Sequence, residues 1–82
     1  MSDTLRIAQS DLGNAPSITL MVMIELSATG LCVATQQEIA EARGVNRSAI
    51  ARPMRQLQGA GVIEMLQPGV YRIDLSQLPE GR

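Results

Sequence analysis

Residues 35–57, TQQEIAEARGVNRSAIARPMRQL, constrain the fold more than any other stretch of the chain. Thr35 and Glu38 form an S/T-x-x-E capping box, the sequence signature of a helix start. Gly44 tolerates the left-handed conformation in which many helices end. Asn46 is suited to cap a second helix directly after the turn. These signals predict two short helices joined by a tight, glycine-containing turn.

The second of these helices is predicted to have one apolar side and one basic side. Ile50, Met54 and Leu57 recur at helical spacing, and on an ideal helix Met54 and Leu57 fall within roughly 40° of Ile50. The opposite side, at roughly 140–200° by the same geometry, carries Ser48, Arg52 and Arg55. Such a pair of helices is a helix-turn-helix, whose second helix can enter the major groove of DNA.

The charge distribution agrees with this interpretation. Residues 42–63 include four arginines and no acidic residue, whereas the net charge of the whole chain is −1. Affinity for nucleic acid must therefore come from this local cluster and not from overall basicity. Arginine pairs bidentately with guanine or with phosphate. All seven basic residues are arginine, which is also what a GC-rich genome would produce.

Composition narrows the class of protein. The chain has 82 residues, of which 45% are hydrophobic, and this predicts one small globular domain. One cysteine and no histidine argue against a disulfide or a zinc site. We expect the protein to need no cofactor and no metal. We also expect that it is not an enzyme, because no catalytic base or phosphate loop is evident. Without a signal peptide or a membrane-length apolar run, a cytoplasmic location is expected.

The N-terminal half is predicted to hold an arm and an apolar helix. Residues 1–16 form the arm, which is either loosely ordered or packed across a dimer partner. Pro16 and Ser17 mark the start of a first helix that is apolar around most of its circumference, and such a helix must be buried on more than one side. Self-association and burial within its own domain both satisfy that requirement. Thr29 and Gly30 are expected to end this helix, and residues 31–33 to form a brief strand.

The C-terminal part is predicted to be a β-hairpin. Residues 62–66 and 70–74 are β-rich and flank a Pro68-Gly69 turn. A hairpin directly after a recognition helix is the wing of a winged helix. Arg72 beside this turn either reaches the DNA backbone or is a solvated strand residue. The expected fold is therefore α+β: a small winged helix-turn-helix of three helices with a C-terminal wing, over residues 17–75, followed by a tail at residues 76–82.

Two segments carry a resemblance to known families. The segment QEIAEARGVNRSAIARPMRQLQGAGVIE resembles the winged helix-turn-helix core of small bacterial regulators, MarR-like repressors among them. The closing GVYRIDLSQL is similar to the end of plasmid replication and copy-control proteins of the RepL type. Arg43 departs from the leucine of many relatives. Pro53 replaces an ordinary helix former, which predicts a kink, a later helix start or a tolerated irregularity. The long terminal dimerisation helices of MarR-type proteins are missing.

The resemblance implies sequence-specific binding of double-stranded DNA. Arg43, Arg47 and Arg72 are expected to contact phosphate, while Ser48, Arg52 and Arg55 read bases. The full set of implied contact residues is Thr35, Gln37, Arg43, Asn46, Arg47, Ser48, Ala51, Arg52, Arg55 and Arg72.

The expected role is that of a transcriptional repressor or a plasmid or phage copy-control regulator. One module buries little surface, so a homodimer on an inverted repeat is expected. No small-molecule effector and no membrane partner is evident. The alternative is a winged-helix protein-interaction module that does not read DNA, which the net charge of −1 and the apolar first helix keep open.

Overall fold

The computed structural model describes residue 7 and residues 12–79. This part of the chain forms three α-helices and a four-stranded antiparallel sheet, which confirms the predicted α+β winged helix. The elements in chain order are α1 (Asn14–Glu25), β1 (Ser27–Ala28), β2 (Leu31–Val33), α2 (Gln36–Arg43), a 3-10 turn (Arg47–Ala49), α3 (Ala51–Gly59), β3 (Ile63–Gln67), β4 (Val70–Ile73) and a second 3-10 turn (Leu75–Gln77).

The sheet joins the two halves of the chain. Its strand order is β1-β2-β4-β3, so the predicted wing, β3 and β4, is paired to the early strands through β2 and β4. Cys32 lies opposite Tyr71 in that pairing. The wing turns at Pro68-Gly69, where Gly69 has a φ of 83°, a value that suits glycine after proline in a tight turn. Because β2 holds β4, the wing has a defined position relative to the helices.

The prediction that Thr29 and Gly30 end the first helix is wrong. Helix α1 ends at Glu25, and Thr29-Gly30 is the two-residue turn between β1 and β2, in which Ala28 pairs with Leu31. Both turn residues have positive φ, 52° and 83°, as a hairpin turn of this length requires. The brief strand at residues 31–33 is confirmed.

Helix α1 is the central helix of the domain. It begins at Asn14, after an N-cap at Gly13, and therefore earlier than Pro16-Ser17 predicted. Its inner side is buried against α2 and α3. On its outer side Ile18 is 39% exposed, and Leu26, the C-cap residue directly after the helix, is 41% exposed. The domain thus buries one side of this apolar helix and leaves hydrophobic side chains accessible on the other.

One hydrophobic core is shared by the three helices and the sheet. The predicted apolar side of α3 faces it, with Met54 and Leu57 at 1% and 0% exposure. Most of the predicted N-terminal arm lies outside the described residues, but Ile7 is fully buried in the same core. The remaining buried members are Leu20, Met23, Cys32, Ala34, Ile39, Ala40, Ile50, Val62, Ile63 and Tyr71.

Two glycines in the central region provide a matched test of backbone conformation. Gly44 ends α2 with a φ of 75°, whereas Gly59 is the last residue of α3, and neither has a neighbour within 4 Å of an added Cβ. We expect Gly44→Ala to lower the free energy of unfolding by about 1–2 kcal/mol, because a side chain is strained in the left-handed region. Gly59→Ala should raise it by about 0.5 kcal/mol. Urea denaturation measures both, and equal effects at the two positions would contradict the backbone argument.

Candidate DNA-binding surface

The turn between α2 and α3 starts from a well-defined helix. The predicted capping box is confirmed: Thr35 Oγ1 accepts a hydrogen bond from the Glu38 amide at 3.1 Å, and the Thr35 amide donates to Glu38 Oε1 at 2.9 Å. Gly44 adopts the left-handed conformation predicted for it. The Val45 amide then donates to the Ala40 carbonyl at 3.0 Å. These bonds set the direction in which the chain leaves α2.

Helix α3 begins later than the sequence indicated. Asn46 precedes a 3-10 turn, Arg47–Ala49, and makes no side-chain capping bond, so its predicted role as the cap of one continuous helix is wrong. Helix α3 starts at Ala51, which places Pro53 in its first turn. There a proline costs little, because the first amides of a helix have no partner within it. Of the alternatives for Pro53, the structure selects the late helix start.

Four exposed side chains of this segment form what we call the arginine face: Arg47, Ser48, Arg52 and Arg55. Within the described residues, none of the three guanidinium groups forms a hydrogen bond or an ion pair. Ala51, which was predicted beside them, is half-buried, and Asn46 is exposed just before them. The arginine face therefore presents positive charge to solvent, with no partner in the described part of the chain.

An open groove lies on each side of the arginine face. One, of about 530 Å³, runs between the start of α1 and α3, and Ser48, Arg52 and Gln56 line it. The other, of about 290 Å³, lies between the start of α2 and the wing, and Arg47 lines it together with Gln36. No acidic residue lines either groove. Gln36 and Gln56 were not among the predicted contact residues, although Gln37 was.

Two predicted contact residues on α2 already have partners within that helix. Thr35 is bonded to Glu38, and the Gln37 side-chain amide donates to Glu41 Oε1 at 3.1 Å. The exposed surface of α2 therefore carries two carboxylates beside these polar side chains. In the helix-turn-helix, the exposed arginines lie after the turn, and α2 contributes negative charge next to them.

Arg43 points away from the arginine face. Its Nη1 donates to Thr19 Oγ1 at 3.1 Å, and Thr19 is fully buried in α1. The Arg43 Nε atom is buried without a hydrogen-bond partner in the described part of the chain. The structure thus places this predicted phosphate contact between α1 and α2 and separates it from Arg47, Arg52 and Arg55.

Arg72 is paired on the wing. Its Nη2 lies 2.7 Å from Glu64 Oε1, with both side chains more than half exposed, and the two residues are directly opposite in the β3–β4 register. Side chains alternate along a strand, and Tyr71 is buried, so this ion pair lies on the outer face of the sheet. The carboxylate neutralises the arginine that was predicted to reach the DNA backbone.

Neither a metal-ligand cluster nor a membrane-length helix occurs among the described residues. No group of three His, Cys, Asp or Glu side chains in residues 12–79 is arranged to hold a metal ion. Burial, followed by the charge of Glu38, raises the pKa of the Cys32 thiol, which keeps it protonated and unreactive. None of the three helices described above has the length and apolar content that crossing a bilayer requires.

Comparison with known proteins supports the architecture. No protein-family model and no curated protein sequence matches the chain. A solved structure, that of FixK2 from Bradyrhizobium japonicum, superposes with a TM-score of 0.54 at 14% sequence identity. The chain has a winged-helix fold. The match covers 99% of this chain and 40% of FixK2, so the chain spans less than half of that protein. At 14% identity the comparison shows the fold alone, and it does not support the finer resemblance to MarR-like or RepL-like proteins.

Proposed function

We propose that this protein binds double-stranded DNA in a sequence-specific manner and acts as a non-catalytic regulator in the cytoplasm. The observation that carries the proposal is the arginine face, where three arginines that have no partner among residues 12–79 lie exposed on the helix-turn-helix. Guanidinium groups at such a position can pair with guanine edges and with phosphates. The similarity of fold to FixK2 is consistent with this proposal.

The regulator acts by occupying its site, as a repressor of transcription or as a control protein of plasmid or phage copy number. The described residues form one small winged-helix domain, and the arginine face lies on its helix-turn-helix. Blocking a promoter or a replication-control site needs only stable occupancy of DNA. An activator would need a further contact surface for the transcription machinery.

We further propose that the active form is a homodimer on an inverted repeat. A single domain buries too little DNA surface for tight binding. Ile18 on the outer side of α1 is 39% exposed, and Leu26, directly after its end, is 41% exposed. Burial of these side chains against a second copy would stabilise a dimer. Sedimentation of the purified protein tests this part separately, and a monomer at micromolar concentration would contradict it.

The first experiment is selection of random duplexes by the purified protein, with the affinity for the selected duplex followed against salt. Each phosphate contact contributes a slope of about −0.9 in log K against log salt. With two arginine faces per duplex, a slope of about −5 is expected if most of the arginines lie near phosphate. Enrichment of an inverted repeat with such a slope supports the proposal. Weak, sequence-independent binding with a shallow slope overturns it and favours a protein-interaction module.

Removal of the Glu64 carboxylate should strengthen DNA binding. In Glu64→Gln, Arg72 loses its partner at 2.7 Å, and its charge becomes available to the DNA backbone. We expect an affinity gain of a few-fold and a salt slope steeper by about 1. The free energy of unfolding should change by less than about 1 kcal/mol, since the pair is exposed. Unchanged affinity and slope would mean that the wing does not face the duplex.

A further inference from the structure

We infer that Arg43 is a positioning residue that sets the orientation of α3 through Thr19, and that it does not contact DNA. The inference rests on the proposed function, because its consequence is discrimination between DNA sequences. It assigns to this arginine a role that differs from the phosphate contact expected from the sequence.

The bond between the two residues joins the helix-turn-helix to the centre of α1. Arg43 occupies the last turn of α2, immediately before the glycine that opens the turn toward α3. Its Nη1 donates to Thr19 Oγ1 at 3.1 Å, and that hydroxyl donates to the Ala15 carbonyl at 2.8 Å. A chain of two hydrogen bonds therefore connects the C-terminal end of α2 to the backbone of α1.

Arg43 is half-buried, and the burial of its Nε atom is unfavourable for stability taken alone. Thr19 is fully buried, and the Arg43 Nε atom is buried without a partner in the described residues. An apolar side chain of similar volume would leave no buried polar atom without a partner at this position, so such a substitution should be close to neutral for stability. The guanidinium is therefore better explained by geometry than by stability.

The orientation of α3 is affected because apolar packing and a hydrogen bond constrain the α1–α2 contact differently. Contact between apolar faces is non-directional, so α1 and α2 could pack in several closely related registers. A hydrogen bond requires a particular distance and angle and selects one of them. The 3-10 turn Arg47–Ala49 follows Gly44 after two residues. A displacement of the C-terminal end of α2 would therefore also displace the side chains of the arginine face.

The test compares Arg43→Met, Thr19→Val and the double variant with the wild type. Each is titrated with the selected duplex and with a scrambled duplex over a range of salt, and Arg72→Met serves as a control that removes the same charge from the outer sheet face. We expect both single variants to lose about 2- to 30-fold in discrimination, with no further loss in the double variant. The salt slope should stay that of the wild type, and the thermal midpoint of Arg43→Met should be unchanged or higher.

Other outcomes overturn the inference. A salt slope reduced by about 1 in Arg43→Met, with Thr19→Val unaffected, would show that Arg43 contacts phosphate. Unchanged discrimination in both variants would show a structural role only. If the wild-type protein selects no duplex, the proposed function fails, and amide chemical shifts then decide the positioning role. If the amide signals of residues 47–56 change in the same way in both variants, the positioning role is supported. If only the signals of residues next to the two substitutions change, the positioning role is contradicted.

Discussion

Replacement of Leu57 by alanine should remove a large part of the stability of this domain. Leu57 lies on the inner side of α3 and is 0% exposed. Truncation of a buried leucine costs the transfer free energy of the lost methyl groups and leaves a cavity, together about 2–5 kcal/mol. A domain of 82 residues has a total stability of only about 4–12 kcal/mol. We therefore expect a variant that has lost a large fraction of its free energy of unfolding and unfolds at a clearly lower urea concentration.

The wing provides the matched control for this variant. Leu66 is 51% exposed, and Leu66→Ala should change the free energy of unfolding by less than about 0.5 kcal/mol. Urea denaturation followed by circular dichroism measures both variants. Similar losses at the two positions would mean that α3 does not pack in the core as described, and would remove the basis for placing the arginine face.

The second large effect is expected on DNA binding. Arg52 is exposed on α3, lines the groove beside α1 and has no partner within the described residues. Arg52→Ala should weaken binding to the selected duplex by about 1–3 kcal/mol. If Arg52 reads a base, discrimination relaxes at one position of the site. If it contacts phosphate instead, all sequences weaken alike and the salt slope falls by about 1. Titration of single-position variants of the duplex distinguishes these cases.

Arg72→Ala is the control for the charge lost in Arg52→Ala. Both variants lower the net charge by one, but Arg72 is held by Glu64 on the outer face of the sheet. The loss at Arg52 should be the larger, with stability unchanged within about 0.5 kcal/mol because the side chain is exposed. Equal losses would show that overall charge, and not the arginine face, determines binding.

Local signals in the sequence determined the helix-turn-helix and the wing. The capping box of Thr35 and Glu38, the left-handed Gly44 and the Pro68-Gly69 turn all occur as predicted. Each depends on residues close together in the chain and on steric preferences that neighbours alone impose. The spacing of Met54 and Leu57 likewise predicted which side of α3 is buried.

Boundaries of the elements were less predictable, because competing local signals are resolved by packing. Thr29-Gly30 is compatible with a helix end and with a hairpin turn, and the pairing of β1 with β2 selects the turn. Asn46 is a residue type that often caps helices, which favours a helix start at residue 47. Pro53 favours a later start, because its missing amide costs least in the first turn of a helix, and α3 does start at Ala51. Neither choice can be read from one element in isolation.

Tertiary structure alone decided which of the basic residues are available to a partner. From the sequence, Arg43, Arg72 and the arginines of α3 differ little, since each is a guanidinium near the helix-turn-helix or the wing. The fold places Arg43 against Thr19 of α1 and pairs Arg72 with Glu64 across the β3–β4 ladder. These partners are 24 and 8 positions apart in the chain. Periodicity determines which side of a helix is apolar, but the partner of a charge depends on which elements the fold brings together.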